Sequence, residues 1–323
     1  MQRLYIHGRE IVIDTVKVSL TLFRIMIPAL IVVKLLELVG FIEILATWIS
    51  PLMQLMGLPD AAGLIWATTM LANIYTGMVV FFTLPGDVGW TQAQVTILGT
   101  LMLLAHSLPI EIRIAQRAGC RLLTQLVLRI GGAIVLGILL NQLYRYGGWL
   151  EEPVTRLWQP SVGDDSLSAW ALTQLESCFW ITVTIMVLLT LLKILRAIGV
   201  EQAISYLLQP VLKVLGISPK ATTITIIGIT LGLSYGGGLL IREAESGKVD
   251  AADIFAAISL LGLCHSLIED TLLIILMGAD LSGILWARLL FAVIVVATLA
   301  RYQQKRSAGF SQRFLVNPPK TGL

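Results

Sequence analysis

The sequence predicts an all-α polytopic membrane protein built as an inverted repeat, with six transmembrane helices, two re-entrant helical hairpins and interfacial helices. Three observations lead to this prediction: an apolar composition, a duplicated chain and an uneven placement of positive charge. Of the 323 residues, 56% are hydrophobic and 13% are charged, and the mean hydropathy is +0.85. Soluble domains are usually about 45–50% apolar and about 25% charged. The composition therefore excludes a disordered chain and an ordinary cytosolic enzyme.

The remaining composition excludes several function classes. The net charge is only +3, and no basic face with interleaved aromatic residues suggests a nucleic-acid partner. The three cysteines are scattered without CxxC spacing, which disfavours a disulfide framework or a zinc cluster. The sequence contains no GxxxxGK[ST] motif, so no P-loop nucleotide site is expected.

The chain resembles itself when it is shifted by 159 positions, which indicates a duplicated unit. The sequence has three histidines, and two of them coincide in this alignment, each followed by serine and leucine. The duplication predicts five segments. They are an N-terminal interfacial segment (1–13), a first repeat (14–146), an extracytoplasmic linker (147–169), a second repeat (170–301) and a cytoplasmic tail (302–323).

Each copy contains the same five predicted elements in the same order. A long apolar helix is followed by an amphipathic interfacial helix, an apolar stretch of about 25 residues, a helix interrupted by the His-Ser motif, and a closing helix. The predicted ranges are 14–40, 41–57, 60–84, 92–118 and 121–146 in the first copy, and 170–198, 199–216, 220–241, 251–277 and 281–301 in the second.

The third element of each copy is predicted to be a re-entrant hairpin rather than a single span. Its middle contains polar, turn-forming residues over 72–77 in the first copy and over 234–238 in the second, where a spanning helix would be most apolar. Such backbone occurs at membrane depth only where protein or a water-filled cavity satisfies it. We expect Gly236–Gly238 to form the second tip, although three glycines are also typical of a helix-packing surface.

Positive charge supports the hairpins, because short cytoplasmic loops are enriched in Lys and Arg. With hairpins and a cytoplasmic N-terminus, 17 of the 23 Lys and Arg residues lie inside and three lie outside. If the third elements span instead, the split is twelve to eight. The sequence therefore predicts two inverted copies in a prokaryotic cytoplasmic membrane, with both termini cytoplasmic.

An inverted repeat with broken helices at midplane is typical of secondary transporters. The element order, given twice, and the motifs AHSLPIE (105–111) and CHSLIED (264–270) resemble the Gate domain (nucleoside recognition domain) family. That family is similar to the transport core of concentrative nucleoside transporters and to the membrane part of the bacterial ferrous-iron transporter. The resemblance implies transport of a small polar, nucleoside-like solute or a divalent cation, in a homo-oligomer.

The two motif histidines are the first candidates for a central site. His106, Ser107, His265 and Ser266 lie in the middle of apolar helices, where an ionisable residue suggests function. Three roles stay open: capping of carbonyl groups freed by the helix break, contact with a substrate or proton, and joint ligation of a divalent metal.

Carboxylates follow each motif. Glu111 and Asp270 lie eight residues before a glycine turn, and Arg129 and Arg288 lie ten residues after it, so the members of each pair share a depth in antiparallel helices. We expect the ion pairs Glu111–Arg129 and Asp270–Arg288, structural in the first place.

Glu269 has no counterpart in the first copy. It follows His265 by four residues, on one helix face if the helix is continuous, and is a candidate coupling-ion or proton site. The hairpin tips supply the other predicted substrate contacts, which are Asn73, Tyr75, Thr76, Ser234 and Tyr235.

The sequence thus favours a secondary transporter with no resident cofactor, for which the lipid bilayer and a small solute or ion are the partners. A non-transporting membrane subunit acting in assembly or signalling is the alternative. An intramembrane metalloenzyme is disfavoured, because no HExxH motif or paired nucleophile and base is present.

Overall fold

The structure is a computed structural model that describes residues 2–39, 41–83, 89–154, 166–246 and 249–305. Nearly all regular structure in these ranges is helical. The tail beyond 305 and residues 155–165 of the predicted linker lie outside the described residues.

Each half of the chain contributes seven successive elements. The first half contains α1 (Gln2–Leu38), α2 (Phe41–Leu55), α3 (Ala61–Leu71), α4 (Ile74–Thr83), α5 (Gln92–Leu104), α6 (Leu108–Arg117) and α7 (Leu122–Gly147). The second half contains α8 (Leu167–Ala197), α9 (Val200–Val214), α10 (Pro219–Leu231), α11 (Leu233–Glu245), α12 (Ala251–Cys264), α13 (Glu269–Ile275), and a π-helical turn (Ser282–Ala287) that leads into α14 (Arg288–Lys305).

Six helical segments of the described chain are long and apolar enough to cross a membrane, as the sequence predicts. They are Ile11–Val32, Gln92–Arg117, Leu122–Gly147, Leu167–Leu195, Ala251–Ile275 and Ser282–Gln303. The two segments that contain the His-Ser motifs are 83% and 78% buried in their most apolar windows, whereas Leu167–Leu195 is 11% buried. The broken helices therefore form the centre of the molecule, and the uninterrupted helices surround them.

The short helices of each half form a helical hairpin. Helices α3 and α4 pack against each other, as do α10 and α11. A methyl group at Gly77 would collide with the Thr69 hydroxyl, eight residues earlier, which requires the chain to turn back between them. The first turn falls at Ala72–Asn73, inside the predicted tip. The structure contains both hairpins, while their entry and exit by one membrane face stays a prediction.

The predicted position of the second turn is wrong. The break falls at Gly232, whose φ of 95° and ψ of 163° suit glycine alone, and Gly236–Gly238 lie inside helix α11. Three adjacent glycines permit a turn but do not require one, and here they continue the helix.

The first helix also differs from its predicted bounds. Helix α1 is continuous from Gln2, so residues 2–13 of the predicted interfacial segment form its first turns rather than a separate element. Helices α2 and α9 occupy the two predicted interfacial ranges as 15-residue helices.

At one part of the boundary between the halves, helix α7 contacts α12 and α14. Gln125 Nε2 donates a hydrogen bond to Ser259 Oγ over 3.0 Å. A methyl group at Gly132 would lie 3.3 Å from Phe291, the residue 159 positions later. Residues at corresponding positions thus meet directly at the boundary between the halves.

Candidate functional site

Both predicted helix breaks are present. Helix α5 ends at Leu104 and α6 begins at Leu108, while α12 ends at Cys264 and α13 begins at Glu269. Pro109, which lacks an amide donor, lies in the first turn of α6. The second break occurs without a proline.

Left-handed serines shape both breaks. Ser107 has a φ of 47° and Ser266 has a φ of 46°, which lie in the left-handed region that residues other than glycine rarely adopt. Each break is also tied to the hairpin of its own half. The amide of Ser107 donates to Thr69 O over 3.1 Å, and the amide of Leu267 donates to Ile229 O over 2.9 Å. Hydrogen bonds that a continuous helix would make internally are therefore made to α3 and α10.

Each motif histidine turns its Nδ1 atom back to its own helix. His106 Nδ1 lies 3.0 Å from Met102 O, and His265 Nδ1 lies 2.6 Å from Leu261 O. Because a carbonyl oxygen only accepts hydrogen bonds, each Nδ1 carries a proton and donates it. The Nε2 atoms of the two rings face each other at 3.0 Å across the boundary between the halves. Nδ1 of each ring therefore binds a backbone carbonyl of the preceding helix, while Nε2 faces the other half of the chain.

Two carboxylates complete this central cluster, which we define as His106, His265, Glu111 and Asp270. Glu111 Oε1 lies 3.2 Å from His106 Nε2 and 3.3 Å from His265 Nε2. Asp270 Oδ2 lies 3.9 Å from His106 Nε2. All four residues are more than nine-tenths buried. Two imidazoles and two carboxylates, one of each from either half, therefore converge on one point.

The first predicted ion pair is present. Arg129 Nη1 donates to Glu111 Oε2, and its Nε donates to Leu104 O over 2.8 Å. Arg129 thus neutralises the buried carboxylate and binds a carbonyl at the C-terminal end of α5. Glu111 Oε1 stays turned towards the histidines.

The second predicted ion pair is absent from the described residues. Arg288 instead donates to Leu263 O over 3.0 Å and to His265 O over 2.9 Å. Its guanidinium is engaged by the carbonyl end of α12, while Asp270 Oδ2 points towards the other half of the chain and has no hydrogen-bond partner among the described residues.

The hairpin residues divide into helix caps and site neighbours. Asn73 Oδ1 accepts hydrogen bonds from the amide and the hydroxyl of Thr76, over 2.9 and 3.1 Å, and so caps helix α4. The Tyr75 phenol lies near Glu269 and Asp270 of the other half. The side chains of Ser234 and Tyr235 lie outside the part of the chain that the structure describes.

His265 and Glu269 would share a helix face only in a continuous helix, and that condition is not met, because the helix is interrupted between them. Glu269 is half-buried as the first residue of α13, next to Asp270 and Tyr75. Its role as a coupling-ion site stays a prediction.

Sequence reasoning favoured Glu111 and Asp270 as partners of arginine and left a functional role as the alternative. The structure places both carboxylates beside the histidines. The available signal was the spacing of five residues between histidine and carboxylate in both copies.

The sequence is similar to a membrane protein of Bacillus subtilis (strain 168). It is 29% identical over 289 residues to the uncharacterized membrane protein YvoD of that organism, and the alignment covers 88% of this chain and 91% of that protein. No protein-family model matches the sequence, and no solved structure matches it.

The apolar helices and this similarity together define the class of the protein. The chain is an all-α, multi-pass membrane protein in contact with the lipid bilayer, as its composition predicts.

Proposed function

We propose that the protein is a secondary-type transporter of the Gate type, and that the central cluster binds its solute or ion during alternating access. The observation that supports this most directly is the cluster itself, in which two histidines and two carboxylates from both halves converge inside a membrane protein. Ionisable groups at this depth are costly and mark ion or solute pathways.

The position of the helix breaks supports the proposal. His106 is the fifteenth of the 26 residues in the candidate span Gln92–Arg117, and His265 is the fifteenth of 25 in Ala251–Ile275. If both segments cross the bilayer, the cluster lies near its midplane, where transporters bind their substrates between discontinuous helices.

The hydrogen bonds from the breaks to α3 and α10 suggest which elements move together. In the proposed cycle, the hairpin and the broken helix of each half move as one body, because a shift between them would break the bonds Ser107–Thr69 and Leu267–Ile229. The outer helices α1 and α8, which expose many apolar side chains, would then be the scaffold and the surface for a homo-oligomer.

Accessibility of the cluster from each side of the membrane tests the proposal, whichever solute is carried. Ser107→Cys places a thiol at the first break, beside His106. In right-side-out and inside-out vesicles, we expect a membrane-impermeant thiol reagent to modify this cysteine from either side. A matched control is Ser259→Cys, because Ser259 is fully buried on α12 and hydrogen-bonded to Gln125. It should stay unmodified in both preparations.

Modification of Ser107→Cys from one side only, or from neither, overturns alternating access. That result would favour the alternative, a non-transporting subunit in assembly or signalling, for which the cluster has only a structural role.

A further inference from the structure

The central cluster contains hydrogen-bond acceptors without a matching donor. Both Nδ1 atoms use their protons on backbone carbonyls, so each neutral ring presents a lone pair at Nε2. Glu111 Oε1 and Asp270 Oδ2 are carboxylate oxygens, which also only accept. Arg129 binds the other oxygen of Glu111. Four acceptor atoms therefore face one another, which is unfavourable unless a positive charge lies between them.

We propose that this cluster binds one divalent first-row transition metal ion through His106 Nε2, His265 Nε2, Glu111 Oε1 and Asp270 Oδ2. The inference rests on the proposed function, for which it names the class of the transported or coupling ion. It also makes the cluster a site whose occupancy can be measured apart from transport.

The distances fit a metal with short bonds. Zinc binds imidazole nitrogen at about 2.0–2.1 Å and carboxylate oxygen at about 2.0–2.2 Å, so neighbouring ligand atoms of a tetrahedral site lie about 3.3 Å apart. The two Nε2 atoms are 3.0 Å apart, and Glu111 Oε1 lies 3.2 and 3.3 Å from them. Asp270 Oδ2, at 3.9 Å from His106 Nε2, is the ligand that must approach most on binding.

The surroundings of the ligands match those of metal sites. Metal-binding histidines usually donate their second ring proton to a carbonyl or carboxylate, which fixes the ring, and both histidines do so here. Arg129 holds Glu111 by the oxygen that faces away from the cluster. The buried Asp270 Oδ2 has no hydrogen-bond partner among the described residues, and it is aimed into the cluster.

The ligand set also predicts selectivity. Imidazole suits Zn²⁺, Fe²⁺, Co²⁺ and Ni²⁺, whereas Mg²⁺ and Ca²⁺ prefer shells composed of oxygen. Two nitrogen ligands out of four therefore favour the transition metals over the more abundant hard cations.

The test measures metal binding by the full chain purified in detergent. After equilibration with micromolar Zn²⁺ or Co²⁺ in millimolar Mg²⁺, we expect one metal ion per chain by mass spectrometry. Bound Co²⁺ should show the visible absorption of a four-coordinate site with imidazole ligands. His265→Ala and Asp270→Asn should weaken binding more than tenfold, since even changes to groups behind the ligands typically cost about 10- to 100-fold.

Matched controls exist for both variants. His7→Ala removes the third histidine, in the first turns of α1, and Asp253→Asn changes a carboxylate that binds the Ser218 amide at the far end of α12. Both controls should bind metal like the unaltered protein. Asp270→Asn preserves side-chain shape, so its melting temperature without metal should stay close to that of the unaltered chain.

Three outcomes overturn the proposal. The first is that the unaltered chain binds no more Zn²⁺ or Co²⁺ than the His106→Ala/His265→Ala double variant. The second is that Mg²⁺ competes equally well for the site. The third is that the two control variants lose as much metal binding as His265→Ala and Asp270→Asn. The first outcome would leave a proton shared by the two imidazoles as the positive charge in the cluster. Metal binding without access of Ser107→Cys from both sides would overturn transport and keep the metal site, so the two failures are distinguishable.

Discussion

At the scale of single residues, Arg129 and Arg288 occupy corresponding positions but make different contacts. Each donates its Nε to a carbonyl near the end of the central helix that precedes it. Only Arg129 also reaches a carboxylate, that of Glu111, whereas Arg288 binds His265 O. The cluster therefore contains one carboxylate compensated by an arginine and one, Asp270, turned towards a histidine of the other half.

This difference predicts unequal effects of the two arginines on stability. Arg129→Gln leaves Glu111 buried without its cationic partner, and breaking a buried ion pair costs about 3–5 kcal/mol. Arg288→Gln removes two hydrogen bonds from a charged donor but breaks no ion pair within the described part of the chain. We expect a clearly larger loss of unfolding free energy for Arg129→Gln, measured by denaturation of purified protein in detergent.

A double variant supplies the control. Adding Glu111→Gln to Arg129→Gln removes the unpaired charge and should recover much of the lost stability. If the losses of unfolding free energy caused by Arg129→Gln and Glu111→Gln alone simply add in the double variant, the ion pair does not stabilise the fold and the prediction is wrong.

Sequence reasoning was sufficient for one ion pair but not for the other. Equal depth in antiparallel helices placed Glu111 and Arg129 within reach, and they do meet. The same arithmetic applied to Asp270 and Arg288, yet these residues have other neighbours. Depth does not determine side-chain direction, which here depends on a histidine 164 positions away and on the carbonyl end of a broken helix.

At the scale of elements, the first hairpin depends on a close approach between its two helices. Gly77 of α4 faces Thr69 of α3, and a methyl group would collide with the threonine hydroxyl. Gly77→Ala should therefore force α3 and α4 apart, and overpacking of this kind typically costs about 1–3 kcal/mol. The Thr69 carbonyl also accepts a hydrogen bond from the amide of Ser107. A displacement of α3 should therefore be transmitted to the central cluster.

Thermal unfolding of purified variants measures this effect. Gly238→Ala is the matched control, because Gly238 lies in helix α11 and a methyl group there meets no atom within 4 Å. It should preserve stability or raise it by about 0.5–1 kcal/mol, as alanine does in helices. Thr69→Ala combined with Gly77→Ala should restore part of the loss. Equal melting temperatures for the two single variants would contradict the packing described here.

The positions of the helix breaks were only partly predictable. Mid-helix polar residues revealed both breaks in the central helices and the first hairpin turn. The second turn was placed at Gly236–Gly238 but occurs at Gly232. Glycine content identifies where a turn is permitted. The choice of Gly232 depends on the tertiary fold, because Ser266 packs against this residue: a methyl group placed on Gly232 would lie 2.9 Å from Ser266 Oγ.

At the scale of the whole molecule, the inverted arrangement of the halves stays a prediction based on charge. Asp87 and Lys248, which it places on opposite faces, lie outside the described residues. Two exposed positions among the described residues can be used for the same test. Glu151, after α7, is predicted to lie outside, and Arg117, at the end of α6, is predicted to lie inside.

Cysteines introduced at Glu151 and Arg117 should react with an impermeant thiol reagent from opposite sides of the membrane. Native Cys120 should contribute little, because burial raises the pKa of its thiol to about 12 and keeps it protonated. Labelling of both introduced cysteines from one side would remove the basis for two inverted halves. A background in which Cys120, Cys178 and Cys264 are all replaced by alanine checks that only the introduced thiols are detected.

The overall plan followed from the sequence more fully than the site did. A shift of 159 positions aligned two rare histidines, and their rings are in contact in the structure. The alignment could relate them to each other, but it contained no information on distance. Tautomers, the roles of the carboxylates and the free oxygen of Asp270 emerge only from three-dimensional packing.

The meeting of His106 and His265 across the boundary between the halves has a consequence for the proposed transporter. Neither half contains all four proposed ligands, so an ion would be held by every ligand only while both halves are in contact around it. If one half tilted away, ligands would be lost on the side that opens. The proposed carrier would then release its ion by the same movement that admits water, without a separate gate to coordinate the two events.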